Sequence, residues 1–186
     1  MKSLQIASTL LAAGLLAASA RASAGRQQDQ PPAQATNDYS QALARAREVL
    51  TPDEWRSVEK EDDAVKRVRR FVEFASLRLD EARSQVSAGA LDAAARALAQ
   101  YQAIVAGAFY CIDPVTEGNK KKRRSSYKEF DIKTRPQLPV LERLAREFTG
   151  QNSSAAEAAL THARRLRAMA LNRFSGSKII KVPDSD

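Results

Sequence analysis

From Tyr39 to Ala170 apolar residues recur every three or four positions with polar or charged residues between them, which is the period of amphipathic helices. Tyr39, Leu43, Ala46, Val49 and Leu50 form the first stripe and predict a helix that stops near Leu50. Thr51-Pro52-Asp53-Glu54 then has the composition of a helix start. Thr51 can accept from the Glu54 amide, Glu54 can reach back, and Pro52 occupies the first helical position, where its missing N–H costs nothing. The second stripe is Trp55, Val58, Asp62, Val65, Val68, Val72, Ala75, Leu79, Ala82 and Val86. Its persistence predicts one long bundle or coiled-coil helix. Asp62 and Lys66, Asp63 and Arg67, and Arg69 and Glu73 are opposite charges four apart and fit the exposed face of that helix. Gly89 suits the left-handed residue that closes a helix. Leu91, Ala94, Leu98, Tyr101, Val105, Ala108 and Ile112 make a third stripe, which Pro114 should end. So short a link at Gly89 predicts an antiparallel hairpin.

Glu117-Gly118-Asn119 reads as a turn leading into Lys120-Lys121-Lys122-Arg123-Arg124. Tyr127, Phe130, Thr134, Leu138, Leu141, Ala145 and Phe148 then keep helical phase across Pro136 and Pro139, which predicts one kinked helix from about Ser125 to Gly150. Ser154 with Glu157 has the form of a capping box, and Ala156, Leu160, Ala163, Leu166 and Ala170 form the last stripe. Val72, Leu79, Leu98, Leu141 and Leu166 are the expected core. The expected fold is all-α: an antiparallel bundle of four to five helices with a long helical hairpin and a proline-kinked helix. With 34 alanines and 6% aromatic residues, the composition favours helix over sheet. No fixed 34-residue repeat of the tetratricopeptide kind is present.

The N-terminus changes the setting in which this bundle is read. Met1 and Lys2 precede an apolar run, Leu4 to Ala18, and two A-x-A sites end at Ala20 and Ala24. That is the layout of a cleavable secretory signal peptide, and the run is shorter than the ~20 apolar residues a membrane span needs. Residues 1–24 are therefore expected to be a signal peptide, 25–36 a flexible linker rich in Gln and Pro, 37–174 the helical bundle and 175–186 a flexible tail. A periplasmic or extracellular location follows, with no transmembrane segment after cleavage. The whole chain carries 30 basic and 22 acidic side chains, and cleavage would remove Lys2 and Arg21, leaving a net charge of +6. In that compartment a basic protein meets lipid headgroups, surface polymers and acidic proteins before it meets nucleic acid, and no nucleic-acid motif is present.

Candidate chemistry is sparse. Cys111 is the only cysteine, so no disulfide can form within the chain, and its surroundings, Phe109-Tyr110-Cys111-Ile112, suit a small buried hydrophobe. His162 is the only histidine and lies at the edge of the last stripe beside Arg164 and Arg165. One thiol and one imidazole cannot supply a tetrahedral zinc site. The acids Glu59, Glu61, Asp62 and Asp63 lack a calcium-loop pattern. No glycine-rich phosphate or dinucleotide loop occurs, so no cofactor and no enzymatic activity are expected. Two features stand above this background. Lys120, Lys121, Lys122, Arg123 and Arg124 adjoin with no acid between them, either as a solvated interhelical loop or as the contact with an anionic envelope surface. Arg135 stands beside Pro136 and Pro139, where a kink can open a groove.

Leu50-Thr51-Pro52-Asp53-Glu54 resembles the L-T-P-x-x element of Spy-like periplasmic chaperones, although that family carries the element twice and ends it with Gln. Residues 39–176 resemble an uncharacterised family of exported all-helical bacterial proteins. The shared features are Lys66-Arg67-Val68, Arg78-Leu79-Asp80-Glu81-Ala82, Tyr101, and the stretch Asp131 to Leu141 with Arg135 and Pro139 in place. The second resemblance implies an exported helical bundle and no particular activity. The expected function is accordingly an envelope interaction or scaffold module with a basic surface, and the alternative is a Spy-like chaperone or stress protein.

Overall fold

The computed structural model describes residues 33–148, 153–177 and 180–183, and these are helical with short turns and no strand among them. The α-helices are α1 (Ala33–Val49), α2 (Pro52–Glu59), α3 (Ala64–Ser87), α4 (Leu91–Tyr110), α5 (Ile112–Val115), α6 (Lys120–Thr134), α7 (Leu138–Glu147) and α8 (Ser153–Ser175). A 3₁₀ turn, Arg135–Gln137, joins α6 to α7. The fold class is all-α, as the stripes require. Val72, Leu79, Leu98, Leu141 and Leu166 are all buried in one cluster with Phe71, Tyr101, Phe109 and Phe130.

The α3–α4 hairpin is the scaffold. Gly89 has φ +73°, and the Gly89 and Ala90 amides donate to the Val86 and Gln85 carbonyls at 2.9 Å each, so the helix closes and reverses within three residues. α1 packs on α4, and α6, α7 and α8 cover the remaining faces of the hairpin. Lys122 meets Asp63, Arg69 meets Glu129, and Gln137 meets Ser76, so α6 runs parallel to α3. Arg164 meets Glu142, Arg167 meets Asp131, and Arg173 meets Tyr127, so α8 runs antiparallel to α6 and α7.

Thr51 caps α2 as the sequence predicts: its hydroxyl accepts from the Glu54 amide and Glu54 accepts from the Thr51 amide at 2.8 Å. Glu54 also accepts from Arg78 at 2.7 Å, which ties α2 to α3. Burial alone would raise the Glu54 pKa, but the Thr51 and Arg78 donors outweigh it and hold the carboxyl below its ordinary value.

The expected long second helix is two helices. The Asp63 carboxylate accepts from the Val65 and Lys66 amides at 2.9 and 3.0 Å and starts α3, while Arg67 donates to the Glu61 carbonyl at 2.8 Å. A short acid that caps its own backbone competes with helix continuation, so the break falls at Lys60–Asp63 and Asp62 is exposed rather than part of a stripe. The charge pairs also differ from those expected: Asp63 reaches Lys122, Arg69 reaches Glu129, and Glu73 pairs with Arg70. Pro114 does not end the third helix. α4 stops at Tyr110, and Pro114 sits inside the single turn of α5, near whose start no intrahelical donor is required.

The kinked helix resolves into α6, the 3₁₀ turn and α7 in nearly continuous phase. Ala33–Thr36, expected in the linker, form the first turn of α1. Ser154 lies within α8, one residue past its first, and not at a cap position. The signal peptide, linker residues 25–32 and the helix end at Gly150 lie outside the described residues.

Candidate functional site

The basic run is not an interhelical loop. Gly118 turns the chain with φ +72°, and the Asn119 side chain accepts from the Lys122 amide at 2.9 Å, so Lys120 to Arg124 begin α6. Cations in a first turn oppose the helix macrodipole. The fold offsets this with acids and an aromatic ring from other elements. Lys122 Nζ lies 3.5 Å from Asp63, Arg123 Nε lies 3.3 Å from Asp113, and the Arg124 guanidinium stands 4.9 Å over the Phe174 ring. The five cations are therefore unequal: Lys122, Arg123 and the exposed Arg124 meet groups on other elements, whereas Lys120 and Lys121 are exposed and meet none among the described residues.

The end of α8 meets this start of α6. Arg173 Nη1 donates to the Tyr127 hydroxyl at 2.7 Å and pairs with Asp113, which thus serves both Arg123 and Arg173. The same guanidinium lies 5.5 Å from the centroid of Tyr127 and 5.6 Å from that of Phe109. Burial, first of all, pushes the Tyr127 hydroxyl well above its ordinary pKa, so it stays protonated. Two arginines share one carboxylate here, and the cluster keeps an excess of positive charge beside Lys120 and Lys121.

Past α8, Gly176 turns the chain with φ +77°. The Asn172 amide then donates to the Ile180 carbonyl at 2.7 Å and its carbonyl accepts from the Ile180 N–H at 2.9 Å. One asparagine thus satisfies both backbone groups of Ile180. Between this segment and α8 lies a cleft of about 810 Å³, with Met169, Ile180 and Val182 as apolar walls and Arg173 and Lys181 as cations.

The other candidates are accounted for by packing. Cys111 is buried, its thiol faces the Ala108 carbonyl at 3.3 Å, and burial pushes its pKa up to about 12. His162 Nε2 is buried without a hydrogen-bond partner, and burial and then Arg165 lower its pKa. Arg173 sits by Asp113, close to Cys111 in sequence, and His162 lies eleven residues earlier on α8, on the order of 15 Å along the axis. Thiol and imidazole are not brought together. Among the described residues no cluster of His, Cys, Asp or Glu could hold a metal ion, and no helix is long and apolar enough to cross a membrane.

The kink does not open a groove at Arg135. Gln137 fills it: its carbonyl oxygen accepts from the Tyr101 hydroxyl at 3.0 Å and its amide donates to Ser76 at 2.8 Å. Arg135 and Arg167 both donate to the buried Asp131 at 2.6 Å. A polar residue in phase with Phe130 and Leu141 was the only sequence signal for Gln137. Nothing in the sequence marks Arg173, whose partners come from the meeting of α5, α6 and α8, or the cleft, which forms where the segment at Ile180 returns to α8. Compared with protein-family models, with curated proteins and with solved structures, the chain matches none.

Proposed function

We propose that this protein is a non-enzymatic, exported helical module that binds an anionic envelope surface through the end of the bundle where α6 begins and α8 ends. The observation that carries this reading is the convergence at one end of the exposed Lys120 and Lys121 with Arg123 and Arg173, which share Asp113. Long-range attraction of such a group to acidic headgroups falls with ionic strength, since the Debye length is only ~8 Å at physiological salt.

The test is co-sedimentation with phosphatidylglycerol-containing vesicles and with pure phosphatidylcholine vesicles, at low and high salt. Lys120→Ser combined with Lys121→Ser removes the two cations that meet no other element among the described residues and leaves Lys122, Arg123 and Arg124 to hold α6. At ~1 kcal/mol per basic residue near an acidic surface, the double variant should bind about 30-fold more weakly with unchanged helical content. Equal binding by both forms, or no preference for acidic vesicles, overturns the proposal. The alternative, a Spy-like chaperone, rests on Leu50–Glu54, and in this chain that element is a helix cap tied to Arg78. Protection of an unfolding client at stoichiometric ratio, without vesicle binding, would favour it.

A further inference from the structure

We propose that the cleft between the end of α8 and the segment at Ile180 is a binding site for a single-chain anionic amphiphile, a long-chain fatty acid. Its volume of about 810 Å³ lies within the ~300–1,000 Å³ of typical small-molecule sites. Met169, Ile180 and Val182 offer walls for an acyl chain, and Ile180 is one of three large apolar side chains left exposed among the described residues. The Asn172 side chain is spent on the Ile180 backbone and holds the far wall in place.

The polar end of the ligand is set by charge. Arg173 and Lys181 line the cleft, and among the described residues no carboxylate does. Arg173 is held by Tyr127 and Asp113 through Nη1, which fixes its guanidinium at the cleft, and its other N–H groups are the donors a bound carboxylate would meet. A planar guanidinium oriented by its own partners is suited to that recognition, because little side-chain freedom is lost on binding. An uncharged lipid would bring no carboxylate to these cations, and inorganic phosphate would leave the apolar walls wet.

This proposal is separate from surface binding, because its ligand is one molecule in the cleft and its measurement needs no vesicle. Binding of palmitate below its micellar concentration is followed by calorimetry on the full chain, with methyl palmitate and inorganic phosphate as comparison ligands. Palmitate should bind at least about tenfold (~1.4 kcal/mol) more tightly than the ester, and phosphate should not bind measurably. Ile180→Asp places a carboxylate in the cleft at an exposed position and should weaken palmitate by at least about tenfold with unchanged helical content. Arg173→Lys keeps the charge but not the fork, and should reduce the preference for acid over ester. Lys120→Ser with Lys121→Ser should leave palmitate binding as it was, even where vesicle binding is lost. Equal affinity for acid and ester, no binding of palmitate, or indifference to Ile180→Asp overturns the assignment.

Discussion

Gly107 sits in α4 where α1 crosses it, and replacing it with alanine sets two known effects against each other. In an exposed helix the change would stabilise by ~1 kcal/mol through helix propensity. Here an added Cβ would lie 2.8 Å from Ala46 Cβ and 3.2 Å from Phe71 Cε1. Neither neighbour can step aside: Ala46 Cβ is fixed to the α1 backbone, and Phe71 is fully buried in the core. Overpacking of this kind costs ~1–3 kcal/mol, so Gly107→Ala should be destabilising by about 1 kcal/mol after the propensity gain is set against it. Urea denaturation of Gly107→Ala, Ala46→Gly and the double variant measures this. Ala46→Gly alone loses propensity and a buried methyl, but in the double variant the two propensity changes cancel and the clash is relieved. The double variant should therefore be more stable than the sum of the singles by at least ~1 kcal/mol. Amide exchange in α1 should rise in Gly107→Ala, since α1 packs on α4. A Gly107→Ala protein ~1 kcal/mol more stable than the parent, or an additive cycle, would refute the close crossing.

Two further predictions concern the buried titratable groups. Cys111, with its pKa pushed up to about 12 by burial, should resist alkylation at pH 8 in the folded protein and react at the rate of unfolding; stoichiometric labelling within minutes, with the far-UV spectrum intact, would contradict this. His162 has its pKa lowered first by burial and then by Arg165, so the unfolded chain takes up a proton at its ordinary 6.5 before the folded one does. Stability should be level above that pH and fall as pH drops from 6.5 toward the folded pKa, and His162→Gln should remove this decline; a flat urea midpoint between pH 7.5 and 5.5 in the parent protein would contradict the assignment.

What could be read along the chain is what local spacing specifies. The stripes located the buried faces, since a helix needs only its own period to decide which residues share a side. The Thr51 cap and the Gly89 reversal were equally legible, because both close hydrogen bonds within a few residues. Where a polar side chain had two uses, the local reading failed. Asp62 and Asp63 kept helical phase in the sequence, yet Asp63 caps α3 and meets Lys122, fifty-nine residues away. Lys120 to Arg124 read as one block of charge, and only the approach of Asp63, Asp113 and Phe174 separates Lys122, Arg123 and Arg124 from Lys120 and Lys121.

The sequence by itself thus determined that the chain is helical, where its apolar faces lie, and that chemistry built on several His or Cys ligands is absent. Tertiary structure decided which charges are spent inside the molecule, that Gln137 and Asp131 are buried and satisfied, and that Arg173 and Ile180 stand on the rim and wall of a common cleft. The physical reason is range. Helix period and capping act over one or two turns, whereas the partner of a long cationic side chain is whatever the packing of distant helices brings within 4 Å of it.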